Sequence, residues 1–312
     1  MEVSIKPTAA ADAQTVSARR SRRINWSEQL TAYLFLLPAI IVFFLFAWLP
    51  IARTVIFSFQ KVSLAGESTW VGLDNFRRML IDPTFSLAWA NSFVFASLSI
   101  LMGFLVPVFV AIMINEMRRA KGFFRLVYFL PTVIPITVSI LIFRLLFSSD
   151  SGFLNALIVS LGGKAQQWLQ NPQLVKPSII ILLTWANFGS TLLIYIAALQ
   201  DIPAEQYEVA EIDGASPFHR IFYITLPYLF PTMIITFVLQ IIFVVQIFTE
   251  PFLLTQGGPA NTTLTPVLVI YRKAFLNNDF GLASAWSMSL IIILSIFSVF
   301  YMRLSNRFNN KD

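Results

Sequence analysis

An all-α, polytopic membrane protein with six crossing helices is the fold class this sequence predicts. Two bulk properties and one pattern carry the prediction. Of the 312 residues, 57% are hydrophobic and only 12% charged, where soluble domains carry about 25% charged residues. Mean hydropathy is +0.73. The pattern is a series of six apolar runs, each near the length of about 20 residues that crosses a hydrocarbon core. They are Leu30–Ile51, Ala88–Ile114, Phe124–Phe147, Pro177–Leu199, Tyr228–Thr249 and Gly281–Met302.

The first 28 residues are polar and small and end in Arg19-Arg20-Ser21-Arg22-Arg23. They read as a cytoplasmic tail held at the membrane surface. A cleaved signal peptide does not fit, because the following apolar run is too long and lacks a small-residue cleavage site. The organisation is therefore a tail (1–28), a membrane domain (29–304) and a short C-terminal tail (305–312). An even number of spans puts both ends on one side. With both ends inside, 13 Lys and Arg face the cytoplasm and 8 face out, which is the bias that orients membrane proteins. Trp26 and Trp48 bracket the first span, where indole rings prefer the interfaces.

The outside loops are longer than turns. Gln60–Leu87 contains the run Trp70–Phe76 and reads as an ordered cap, and Ser148–Lys176 carries Gly152, Gly162, Gly163 and Trp168. Arg144, near the outer end of the third span, can snorkel or pair with Glu250 or Asp150. Prolines 107, 131, 135 and 231 kink spans or bound them.

Several chemistries are excluded. With no cysteine and one histidine, the chain offers neither a metal site nor a His-based catalytic triad. Gly162-Gly163-Lys164-Ala165 lacks the spacing and the hydroxyl of a phosphate loop. The basic residues cluster beside apolar runs, which points to a membrane surface and away from nucleic acid. The polar groups within spans are more informative, since each costs free energy unless paired or facing a cavity. Gln240, Phe243 and Gln246 follow one another at helical spacing, with Glu250 a turn further, and the fourth span adds Trp185, Asn187 and Ser190. Aromatic faces with amides suit a neutral sugar, whose C–H face stacks on rings and whose hydroxyls bond to amides. The same amides can join helices to one another, and the residues alone leave both uses open.

Between the fourth and fifth spans lies a polar island, Asp201–Pro231, with five of the sixteen acids (Asp201, Glu205, Glu208, Glu211, Asp213) and the one histidine, His219. Its punctuation predicts two short helices. Asp201 caps the first, with Pro203 in its first turn, and Gly214 stops it. Ser216 caps the second, with Pro217 as its first residue, and Leu226-Pro227 ends it. The run Glu208-Val209-Ala210, Asp213-Gly214-Ala215 and Leu226-Pro227 resembles the EAA loop of ABC-importer membrane subunits. Thr255-Gln-Gly-Gly-Pro259, Ile270-Tyr271, Ala274-Phe275 and Phe280–Ala285 are similar to the sugar-type branch, and more narrowly to the first of its two permeases.

The resemblance implies that residues 201–227 form a cytoplasmic coupling loop seated in a cleft of a separate ATP-hydrolysing subunit. Glu208, Ala210, Asp213, Gly214 and Ala215 would make that contact. It places the pathway on the fourth and fifth spans, at Asn187, Ser190, Gln240, Phe243, Gln246 and Glu250. It further implies a second homologous permease, a dimer of ATPase subunits that hold the ATP and Mg, an extracytoplasmic solute-binding protein and a carbohydrate substrate. The setting would be the lipid of a bacterial or archaeal plasma membrane, and this chain would carry no cofactor and catalyse no reaction. An ion-coupled carrier working alone would instead want intramembrane carboxylates, and Glu250 at the end of a span is the one candidate. An intramembrane enzyme would want a pair of catalytic groups inside the spans.

Overall fold

The computed structural model describes residues 26–64, 66–117 and 119–309. The tail with its arginine cluster, Arg118 and residues 310–312 lie outside the described residues. The chain divides into two units, Met1–Ala52 and Arg53–Asp312. Five helices are long and apolar enough to cross a membrane: α1 (Tyr33–Ser58), then Pro83–Glu116, Val175–Gln200, Pro217–Val245 and Phe280–Arg303. Lipid offers a backbone no hydrogen bonds, so a single continuous helix is the simplest crossing element.

The remaining crossing departs from expectation. In place of one helix over Phe124–Phe147, the chain forms Lys121–Val133 and Ile136–Leu146, bent by 98°. Pro135 lies in the break, where it offers no N–H and forces its predecessor out of helical geometry. Numbering in chain order, the helices after α1 are α2 (Asp74–Ile81), α3 (Pro83–Glu116), α4 (Lys121–Val133), α5 (Ile136–Leu146), α6 (Phe153–Ser160), α7 (Val175–Gln200), α8 (Ala204–Ile212), α9 (Pro217–Val245), α10 (Pro266–Tyr271) and α11 (Phe280–Asn309). The bent pair traverses the bundle along α7. Arg125 of α4 lies beside Gln200, Tyr128 packs on Phe188, Phe143 of α5 on Trp185, and Phe147 joins the cluster of Leu182. The partners thus move steadily from one end of α7 toward the other, so the pair counts as one crossing and the total is six.

The long helices absorb their prolines by a repeated device. Five π turns occur among the described residues, and three of them, Phe44–Trp48, Ile100–Leu105 and Ile221–Thr225, end two residues before Pro50, Pro107 and Pro227. A proline cannot donate to the carbonyl four residues back and its ring crowds that carbonyl. A widened turn re-routes the hydrogen bonds and lets the helix continue. This corrects the expectation that Leu226-Pro227 ends a short helix: the helix opening at Pro217 runs on to Val245.

The bundle core around α3, α7 and α9 is a cluster that includes Phe104, Val108, Leu192, Tyr195, Ile196 and Leu229. A buried hydroxyl pair, Tyr195 with Thr236 at 2.6 Å, joins α7 to α9. Tyr301 Oη donates to the Ile234 carbonyl at 2.7 Å and fixes α11. The Gln60–Leu87 loop is the ordered cap expected. In it, β1 (Gln60–Lys61) pairs antiparallel with β2 (Thr69–Trp70), and buried Asn75 donates to the carbonyls of Ser58 and Gln60 at 3.0 and 2.9 Å. Two ion pairs tie this cap to the last loop, Arg78–Asp279 at 2.6 Å and Lys273–Asp82 at 2.8 Å. Burial pushes the Asp82 carboxyl up, but Lys273 and Thr84 outweigh it and hold its pKa below the ordinary value.

Candidate functional site

The polar island folds into a corner whose geometry follows from one glycine. α8 ends at Ile212 with Asp213 as its cap, and Gly214 takes φ +77°. The Gly214 N–H then donates to the Glu211 carbonyl at 3.1 Å and the Ala215 N–H to the Ala210 carbonyl at 2.8 Å. This is the paired closure of a Schellman motif, which satisfies carbonyls that a helix end would otherwise leave bare. Ser216 opens the next helix as expected, its Oγ accepting from the His219 N–H at 3.3 Å with Pro217 as the first residue. Asp201 does not cap α8: it closes α7, and the residue at the α8 cap is Pro203, with no side-chain bond. The X-Pro restriction sets that boundary instead, because Ile202 must be extended before Pro203.

Three contacts fix the corner to the bundle. Ile202 is buried in the core cluster, and Tyr207 packs against the same cluster. The Tyr207 and Thr225 hydroxyls bond at 2.9 Å, linking α8 to the base of α9. Half-buried Arg220 approaches exposed Glu211 at 3.6 Å, a long surface pair worth about 0–1 kcal/mol.

What the corner leaves uncovered is apolar, on α8 and on the first turn of α9. No residue of α8 is buried. Ile212 is 85% exposed, Phe218 73% and Val209 57%. Val209 and Ile212, three apart, share one helical face, with Phe218 across the corner. Of the residues the sequence pointed to, Glu208, Asp213 and Gly214 are exposed, whereas Ala210 and Ala215 are half-buried against the turn. Residue-by-residue reading overlooked Ile212 and Phe218. Their signal was two large apolar side chains in a run otherwise rich in acids.

The polar groups of the spans are distributed differently. Gln240 is half-buried on α9, beside the π turn of α3: a Cβ on Gly103 would lie 2.6 Å from Gln240 Nε2 and 3.6 Å from Thr184 Oγ1. Gln240 makes no hydrogen bond with another described residue, so its amide is available at the meeting point of three crossing helices. Asn187, Ser190, Phe243 and Gln246 are exposed on the bundle surface. Asn187 and Gln246 donate to backbone carbonyls four residues back, of Leu183 at 2.9 Å and Ile242 at 3.1 Å. Neither amide joins two helices here. Phe243, Gln246 and Glu250 line one recess at the end of α9. Glu250 is 5% exposed, and that burial pushes its carboxyl up, with its own backbone N–H pulling the other way. Arg144 pairs with neither Glu250 nor Asp150; it lines a polar recess of about 450 Å³ with Asp150, Gln170 and Thr255. Among the described residues no group of His, Asp and Glu could hold a metal ion.

Comparison with known proteins places these features. The family described as "Binding-protein-dependent transport system inner membrane component" matches residues 103–310. The arabinooligosaccharides transport system permease protein AraP of Halalkalibacterium halodurans is 31% identical, over 95% of both chains. The lactose transport system permease protein LacF of Rhizobium radiobacter is 32% identical over 86% of this chain and 92% of its own. Among solved structures, a chain of a bacterial ABC transporter that imports the acidic polysaccharide alginate superposes with a TM-score of 0.82 at 25% identity, over 90% of this chain and 96% of that one.

Proposed function

Since the chain belongs to the binding-protein-dependent inner-membrane components, the non-catalytic permease subunits of ABC importers, we propose that it carries a carbohydrate across the plasma membrane and receives its drive through the Asp201–Pro227 corner. The observation that carries this reading is the exposed apolar face of Val209, Ile212 and Phe218 at a Schellman corner. An exposed apolar face at the end of a span gains stability when a partner covers it.

In this reading the partner is a subunit of an ATPase dimer, which holds the ATP and Mg; no cofactor is assigned to this chain. A second, homologous permease completes the pore, and an extracytoplasmic binding protein delivers the sugar. ATP closes the ATPase dimer, the two coupling corners move with it, and the spans reopen outward. Glu208 and Asp213 flank the apolar face and suit basic groups on the ATPase. Ala210, Gly214 and Ala215 keep the turn narrow. The carbohydrate reading draws on the sugar permeases among the relatives and on the free amide of Gln240. Asn187 and Ser190 on the exposed face of α7, Phe243 on that of α9, and Gln246 and buried Glu250 in the recess beyond the end of α9 would line the route.

Both termini are placed in the cytoplasm. Because the chain has no cysteine, single cysteines report topology directly. An impermeant thiol reagent added to intact cells should label Lys164→Cys and leave Arg119→Cys unlabelled, both positions being exposed. The reverse pattern would invert the orientation.

Gln240→Ala tests the pathway. Removing one hydrogen-bonding amide should weaken sugar transport by about 1 kcal/mol, or several-fold, with assembly and basal ATP hydrolysis unchanged. Gly103→Ala should reproduce the effect, since its methyl would displace the amide. Loss of assembly in both variants would make Gln240 a joint between helices and not a sugar ligand.

A further inference from the structure

We infer that Arg125 is a positioning residue for transport: its hold on Gln200 makes the bent pair α4–α5 follow the end of α7 when the coupling corner moves. This rests on the reading of that corner as the surface that receives the drive.

The start of α4 turns two cations and two rings toward the bundle. Lys121, Phe124, Arg125 and Tyr128 stand at i, i+3, i+4 and i+7, which is one helical face. All four are half-buried, and the two rings pack against the core cluster. Each cation reaches the C-terminal end of a different crossing helix. Lys121 Nζ donates to the Asn115 carbonyl, in the last turn of α3, at 2.6 Å. With the Gln200 amide turned as hydrogen bonding requires, its oxygen accepts from Arg125 Nη1 and Nη2 at 3.2 and 2.8 Å. Gln200 is the last residue of α7, so both cations stand at the negative end of a helix dipole.

Stability alone does not account for the guanidinium. Arg125 Nε has no partner among the described residues, and none of the three ion pairs among them includes Arg125. An apolar side chain beside Phe124 and Tyr128 would avoid the cost of desolvating a charge. What the planar fork adds is a directed link, held in one orientation by two bonds to one oxygen.

The link lies where motion would pass. Asp201 follows Gln200 and closes α7, and buried Ile202 leads on into α8. Further along α4, Tyr128 packs on Phe188 and the Phe129 backbone closes on Gly189, so α4 and α7 meet without slack. Beyond the 98° bend, the last turn of α5 carries Arg144 of the polar recess that Asp150 also lines. Packed side chains and hydrogen bonds are what carries coupling between distant sites. Corner, α7, α4 and α5 thus form one linked series, and Arg125 with Gln200 is the joint nearest the corner.

The test uses the intact importer in lipid nanodiscs, with Asp150→Cys or Ile212→Cys in this cysteine-free chain. Both positions are exposed, and maleimide labelling of this chain is followed by mass spectrometry. Adding ATP and Mg should change the labelling rate several-fold at both. Arg125→Met should abolish the change at 150 and leave the change at 212. Gln200→Ala, at an exposed position, should do the same, and it decides alone if Arg125→Met fails to accumulate. Arg125→Lys, which keeps the charge, should restore part of the change at 150. Lys121→Met, which frees α3 instead, should leave both changes in place. A wild type that responds at 212 and not at 150 overturns the inference. So does a response at 150 that survives Arg125→Met or Gln200→Ala, or one that Lys121→Met removes equally. No response at 212 in wild type would instead sink the functional reading on which the inference rests.

Discussion

Gly214→Trp should leave the protein inserted in the membrane yet abolish uptake and co-purification of the ATPase subunit. Two effects combine. At φ +77° a side chain strains the backbone by about 1–2 kcal/mol. Among the described residues beyond its chain neighbours, nothing lies within 4 Å of a Cβ at this position, so the side chain sets out into open space and its bulk is directed at whatever docks. Substitutions separate the two effects. Asn, which tolerates the left-handed region, should retain most activity; Ala should lose some; Trp should lose all of it. If Trp behaves like Ala, strain alone is at work and no partner approaches the corner. Uptake of sugar and ATPase recovery on the purified complex are the readouts.

Gly189→Leu should prevent accumulation of folded protein. A Cβ there would lie 2.5 Å from the Phe129 Cα and 2.6 Å from the Tyr128 carbonyl oxygen. These are backbone atoms, which cannot turn aside as a side-chain end can. α4 and α7 touch through this small residue, as membrane helices commonly do. Forcing them apart also separates Tyr128 from Phe188, whose ring centroids are 5.1 Å apart. Overpacking of this kind costs about 1–3 kcal/mol in soluble cores, occasionally more, and a leucine adds three carbons beyond the clashing Cβ. The measurement is yield of monodisperse protein, with Gly162→Leu as control, because a Cβ at Gly162 meets nothing within 4 Å. Gly162 carries a positive φ, +84°, which helical Gly189 does not, so normal yield of the control would show that even added backbone strain does not by itself cause the loss.

What the sequence disclosed depends on range. Spans were legible because hydropathy is a local sum, and five of the six runs correspond to continuous helices. The bend at Pro135 was not, because a proline bounds one helix as readily as it kinks another, and only the neighbour α7 decides. Pro227 misled for a related reason: a proline after a short polar segment reads as a stop, but a π turn carries the helix past it. The Gly214 corner was legible because it is set by backbone geometry within six residues. The anchors were not. Tyr207 with Thr225 and Arg125 with Gln200 join residues 18 and 75 positions apart, and no spacing rule links them. Asn187 and Gln246 fall between: each bonds to a carbonyl only four residues back, a local contact that the spacing permits but does not choose over a bond to a neighbouring helix.

The measurement that tests the central claim most directly is cross-linking from Ile212. With Ile212→Cys in the cysteine-free chain and a short thiol-to-amine reagent, the account predicts an adduct with the ATPase subunit, in a yield that changes when ATP is added. Lys164→Cys, on the opposite side, should give none. An adduct from position 164 with none from position 212 would contradict the assignment of the corner as the surface through which transport is driven.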